Sequence, residues 1–184
     1  MTEALTLSSL RSALGRSWLI TVFGVAYVIS QISIILILGP IEEAMIVLQV
    51  SGFSADDYLA VFNSWDESGG MAFYRAHFIL DDVHWIWYVG LFTTALCRLF
   101  DKHQISVRYN WLLLLPLASG LLDWYENQLQ HVFLSSQDYQ TIIDPLPLMS
   151  TLASDTKWFL SAIYIGMILV LLLRRAPKKA PIDK

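Results

Sequence analysis

Asp123 and Glu126 stand three residues apart inside WLLLLPLASGLLDWYENQLQHVFL (111–134), an otherwise mostly apolar run. On a helix that spacing turns both carboxyls to one face. Two adjacent carboxyls in a low-dielectric setting disfavour each other's ionisation, so one can carry a proton near neutral pH and serve as acid or base. The structural alternative is that they accept hydrogen bonds from Lys157, Tyr88 or Asn127 and lock a helix bundle, since ion networks of that kind also perturb carboxyls. A second set, Tyr74, His77, Asp81, His84 and Tyr88, recurs at alternating offsets of three and four, again one face of one helix. The candidate proton-active groups are therefore Asp81, Asp123 and Glu126. The candidate ligand-binding groups are His77, His84, Tyr88, Asn127, His131, Lys157 and Gln31. His77, Asp81 and His84 also have metal-ligand spacing, and Glu126 or His131 from the next helix could complete a site, because helical bundles build metal sites from facing helices. The chain lacks the repeated Glu-x-x-His signature of di-iron bundles, so no metal is assigned and the cofactor is left open.

The elements that must position these residues are long and apolar. The chain has 184 residues, 55% hydrophobic and 15% charged, with a mean hydropathy of +0.52; a soluble domain carries about 25% charged residues. Seven Trp, eight Tyr and nine Phe suit the aromatic belts of a membrane protein. A transmembrane helix needs roughly 20 apolar residues, and four segments qualify: about 18–38, 73–100, 110–134 and 157–173. The expected fold is all-α, a single polytopic membrane domain with a four-transmembrane-helix bundle and outer loops 39–72 and 135–156. The first span follows Arg11 and Arg16 as a signal peptide would, but its apolar core is too long and no small-x-small cleavage site follows, so it is read as retained. The net charge of −4 and the absence of a basic face exclude nucleic acid as a partner. One cysteine, Cys97, excludes an intrachain disulfide framework.

Charge placement orients the spans. Arg11 and Arg16 precede the first, Arg98, Lys102 and Arg108 separate the second and third, and Arg174, Arg175, Lys178, Lys179 and Lys184 follow the fourth, which puts ten of twelve basic residues on one side. That side is cytoplasmic by the positive-inside rule. Both termini face the cytoplasm, and the expected location is the cell (inner) membrane. In loop 39–72, Ser54 is placed to cap a helix with Asp56 and Asp57 in its first turn, and Tyr58, Val61, Phe62 and Trp65 share a face. This predicts a short amphipathic helix lying on the outer membrane surface or over the bundle mouth. With this topology the polar groups of all four spans fall in their outer halves and define one polar chamber, open outward or sideways to the outer leaflet. Lys157, at the expected start of the fourth span, opposes the helix dipole. It needs an acidic partner, Asp81 or Glu126, unless it snorkels to the headgroups.

The run DDVHWIWY, with Asp81 seven residues before Tyr88 and behind a Gly69-Gly70 turn and Tyr74, resembles an Asp-x6-Tyr pattern of uncharacterised four-helix bacterial membrane proteins. LLDWYEN resembles their Leu-Asp-x-x-Glu-Asn motif on the third helix, and DTKW their Thr-Lys-Trp motif opening the fourth. The family often has Pro where this chain has Trp85. The resemblance covers roughly residues 55–160 and implies a fold, with no activity attached. Pro40-Ile41-Glu42-Glu43 is similar to the Pro-x-Glu-Glu motif of membrane lycopene cyclases, with nothing else matching. The layout is also similar to the emopamil-binding-protein and sigma-2-receptor class, in architecture alone.

Three function classes follow. The first is binding or acid–base processing of a lipid, isoprenoid or other apolar small molecule entering from the outer leaflet. The second is an accessory subunit packed against a partner membrane protein or another copy of itself. The third is a proton-coupled transporter, the weakest for four helices with an apolar inner half. No phosphate loop, dinucleotide fingerprint, Gly-x-Ser-x-Gly or cysteine pair is present.

Overall fold

The computed structural model describes residues 2–136 and 138–175. Lys178, Lys179 and Lys184, part of the cytoplasmic charge count, lie outside the described residues. Among the described residues the chain is all-helical: α1 (Thr2–Leu14), α2 (Ser17–Leu38), α3 (Glu42–Ser51), α4 (Ala55–Ser68), α5 (Gly70–Lys102), α6 (Leu115–Phe133) and α7 (Leu146–Leu173), with 3₁₀ segments at Gly39–Ile41 and Val107–Leu114. Three stretches are long and apolar enough to cross a membrane: Ser17–Ser51, Gly70–Lys102 and Leu146–Leu173.

The third expected span is the one absent from that set. Its N-terminal part, from Val107 to Leu114, is 3₁₀, and the α-helix begins at Leu115 with Pro116 in its first turn, where a missing N–H costs nothing. The fourth span begins well before Lys157. Pro145 and Pro147 open α7 at Leu146, so Lys157 lies in the fourth turn of a longer helix. The helix-start argument for an acidic partner therefore does not apply; the partner is needed because the site is buried.

Packing runs in series. α2 lies along α5, α5 along α6 and α6 along α7, with a further contact between α5 and α7. Two glycines permit the close approaches. A Cβ on Gly90 would sit 2.4 Å from the Phe23 ring of α2, and one on Gly120 of α6 would sit 2.4 Å from Val89 of α5. Two apolar clusters bracket the middle. One is aromatic and includes Tyr58, Phe62, Trp65, Tyr74, Phe78 and Phe133. The other holds Leu96, Leu99, Phe100, Tyr164 and Leu171.

α4 forms as the sequence predicts and packs down on the helices. Ser54 Oγ accepts from the Asp57 amide, and the Asp57 carboxylate accepts from the Ser54 amide, a reciprocal cap. Gly69, at φ 80°, ends the helix in a left-handed turn. Its Tyr58, Phe62 and Trp65 are buried. Tyr58 joins a network centred on Gln130, which donates to Tyr58 Oη (3.0 Å) and Ser150 Oγ (2.8 Å) and accepts from Tyr74 Oη (2.7 Å). At the opposite end α1 is fixed by Arg11, whose guanidinium meets Asp101 at 2.6 Å and donates to the Ile105 carbonyl and Asn110.

Candidate functional site

The two acids of α6 converge on Lys157 of α7. Lys157 Nζ donates to Asp123 Oδ1 at 2.6 Å and to Glu126 Oε2 at 2.5 Å. The other Glu126 oxygen accepts from Gln49 Nε2 of α3 at 3.2 Å. All three charged side chains are buried, at 9%, 7% and 4% exposure for Lys157, Asp123 and Glu126. Ions so desolvated persist only where each has a partner of excellent geometry. The α6 periodicity explains the convergence: Ser119, Asp123, Glu126 and Gln130 share the face turned to α7, and Ser119 Oγ lies 3.0 Å from Ser161 Oγ.

Lys157 and Asp123 form part of the wall of a cavity of about 280 Å³, with Glu126 just outside its lining. α5 contributes Asp81, His84, Tyr88 and Phe92, and α2 contributes Tyr27, Gln31 and apolar residues. α3 contributes Glu42, Met45 and Gln49, and α7 adds Trp158, Ser161 and Tyr164. Because α2 packs on α5 and α7 on α6, a gap remains between α2 and α7, flanked by Ile34, Ile35, Trp158 and Ile165. Ile35, Trp158 and Ile165 are substantially exposed. The exposed part of the lining is thus mostly apolar, with Ile46 and the acid Glu42 of α3 beside those residues, and the buried Asp123 and Lys157 belong to the same wall.

Three carboxyls, Asp81, Asp123 and Glu126, lie close to one ammonium. Lys157 is engaged by two of them, while the nearest basic group to Asp81 is His77 Nε2 at 4.0 Å. His84 Nδ1 lies 2.8 Å from Ser30 Oγ, and that hydroxyl also donates to the Tyr27 carbonyl at 3.0 Å. A hydroxyl has one proton, so His84 Nδ1–H must be the donor to Ser30, which leaves Nε2 of a neutral ring as an acceptor. Tyr88 Oη is buried without a hydrogen-bond partner, as is Asn127 Nδ2.

Of the expected residues, Gln31, Asp81, His84, Tyr88, Asp123 and Lys157 line the cavity. Glu126, Asn127 and His77 line a small neighbouring pocket that shares Asp81 and Gln49 with it. Two expectations are corrected. His131 is not part of the chamber: it is about 40% exposed and pairs with Asp82 at 2.9 Å beside Phe78. Lys157 is at the centre of the cluster and does not snorkel; of its two expected partners it meets Glu126 and not Asp81, and Asp123 is its second. The possible metal set of His77, Asp81, His84 and Glu126 does not close. Both Glu126 oxygens are occupied, and among the described residues no group of three His, Cys, Asp or Glu side chains is placed to hold a metal ion.

Gln49 and Trp158 are wall residues that sequence reasoning missed as members of the site, and so is Ser30, which stands outside the lining and holds His84. Gln49 carried the one available signal, a lone amide in the apolar stretch IVLQV. Serine in a spanning segment commonly bonds its own helix, as Ser33 does to Ile29, so Ser30 could not be singled out. In comparisons with protein-family models, curated proteins and solved structures, the chain matches none.

Proposed function

We propose that the chain is an integral membrane protein in which α2, α5, α6 and α7 span the bilayer as a four-helix bundle. In this reading both termini are cytoplasmic, and the outer-half cavity binds, or processes by acid–base chemistry, a lipid, isoprenoid or other amphiphile. The observation that carries the reading is the form of the cavity: a buried Lys157–Asp123–Glu126 cluster and Asp81 behind a lateral apolar mouth between α2 and α7. Small-molecule sites combine an apolar lining with a few convergent polar groups in this way. Insertion is supported by apolar side chains exposed along all four helices, among them Val25, Ile29 and Leu36 of α2, Ile79 of α5, Leu121 of α6 and Phe159 and Val170 of α7. A soluble monomer rarely exposes so continuous an apolar surface. A mouth between two lipid-facing helices admits a tail directly from the outer leaflet.

The accessory-subunit reading has one observation in its favour. Lys157 satisfies two carboxylates without any ligand, as a purely structural lock would. The transporter reading is disfavoured by the apolar cluster of Leu96, Leu99, Phe100 and Leu171 on the other side of the cavity.

Native mass spectrometry of protein released from lipid nanodiscs separates these readings. The expected result is an amphiphile-sized adduct on the wild type that is lost from Ile35→Trp, which fills the mouth. No adduct on the wild type, or a protein partner in its place, refutes the amphiphile reading.

A further inference from the structure

We infer that the head group held at the back of the cavity is a protonated primary amine, seated against Asp81, His84 and Tyr88. This rests on the amphiphile reading above and adds the charge and hydrogen-bonding character of the ligand. Three observations carry it, and each concerns a different group.

The first is charge balance. Lys157 is committed at 2.6 and 2.5 Å to Asp123 and Glu126, so the cluster without Asp81 already has one more carboxyl than ammonium. Asp81 adds another and has no Lys or Arg within ion-pair distance among the described residues; its side chain is 18% exposed, toward the cavity it lines. An anionic head would face this surplus, and like charges brought together out of water repel strongly. A cation relieves it.

The second is hydrogen-bond polarity. Ser30 fixes His84 as the Nδ1–H tautomer and leaves Nε2 accepting. Asp81 accepts through its carboxylate. Tyr88, only 8% exposed, lines the cavity with a hydroxyl that lies near the Ser119 hydroxyl and the Asp123 carboxyl but in hydrogen-bond geometry with neither, so its oxygen can accept. A site with three acceptors matches the three N–H donors of a primary ammonium. A quaternary ammonium would balance the charge but leave all three acceptors unbonded.

The third is the wall. Tyr27 and Phe92, which meet edge to face at 6.0 Å, line the same cavity as His84 and Tyr88, and Trp158 stands at the mouth. Aromatic faces favour a cation over a neutral or anionic head. Lys157 itself lies 5.6 Å from the Trp158 ring, so the wall already accommodates one ammonium.

The test uses matched long-chain photo-crosslinking probes with identical diazirine-bearing tails and either a primary ammonium, a hydroxyl or a sulfate head. They are applied to the full-length protein in nanodiscs, with labelled residues mapped by peptide mass spectrometry. The ammonium probe is expected to label the α2 and α7 walls at least about tenfold more than the hydroxyl probe, and the sulfate probe least; tenfold corresponds to about 1.4 kcal/mol. Asp81→Asn is expected to bring the ammonium probe down to the hydroxyl level, and Asp81→Glu to restore the preference. Equal labelling of the wild-type cavity by all three heads overturns the amine assignment and leaves the amphiphile reading standing. No cavity labelling by any probe overturns both. An ammonium preference that survives in Asp81→Asn overturns Asp81 as its seat. The wild-type comparison decides the charge question without any variant, so failure of Asp81→Asn to fold does not protect the inference.

Discussion

Lys157→Met is the perturbation that most directly probes how the cluster is held. It removes the one ammonium between Asp123 and Glu126 and keeps a side chain of similar length. The exposures of 9%, 7% and 4% place this pair among buried ion pairs. Removing one partner there costs about 3–5 kcal/mol, because it strands a charge; a surface pair would cost no more than about 1 kcal/mol. A domain is stable by about 5–15 kcal/mol, so the single variant should lose a large part of its folding free energy. The loss should come mostly from the stranded carboxyls and little from a missing attraction. Adding Asp123→Asn and Glu126→Gln to Lys157→Met should therefore return much of the stability, since a buried ion network replaced by neutral groups is often close to neutral overall. The assay is reversible unfolding in bicelles, by steric trapping or denaturant, for the wild type, the single variants and the triple variant, with coupling read from the mutant cycle. A cost below about 1 kcal/mol for Lys157→Met, or additive losses across the series, would show that water enters the cluster and would refute the reasoning.

Two further outcomes are expected. Gly90→Ala pushes a Cβ to 2.4 Å from Phe23 and should cost about 1–3 kcal/mol through overpacking, whereas Gly24→Ala meets Leu91 at an ordinary 3.6 Å and should be nearly neutral; thermal unfolding in detergent compares them. The Ser54 hydroxyl and amide, with the Phe53 amide, hold the Asp57 carboxyl below the ordinary carboxylate range. Its folded pKa is thus lower than its unfolded one, so its contribution to α4 is complete above the unfolded value and is lost as pH falls through the folded one. Hydrogen exchange of α4 amides, corrected for intrinsic rate, should show protection falling in acid for the wild type and much less so for Asp57→Asn.

The helices were legible because their signals are local. Offsets of three and four put Asp123 with Glu126, and His84 with Asp81 and Tyr88, on single faces, and the Ser54–Asp57 cap is written in adjacent residues. What escaped is what depends on partners from elsewhere. His131 sits one residue past Gln130, close to the polar stripe, yet Asp82 draws it to the outside at 2.9 Å. The sequence puts Lys157 at a helix start because the apolar run begins there, while Pro145 and Pro147, about three turns earlier, open the helix. Gln49 sits on a short helix in the loop between α2 and α5, and its contact with Glu126 spans 77 positions, beyond the reach of any periodicity.

The Lys157–Asp123–Glu126 contact also has a consequence for biosynthesis. In the spanning topology, α6 emerges from the ribosome carrying two acids whose neutralising cation belongs to α7, the next helix. Each such acid opposes entry of an isolated helix into lipid by about 3 kcal/mol near its centre. α6, alone among the four, falls outside the set of helices apolar enough to cross unaided. In that topology it would enter together with α7, as a hairpin. A transcript truncated anywhere between residues 134 and 157 would strand the third segment outside the bilayer and reverse nothing upstream of it.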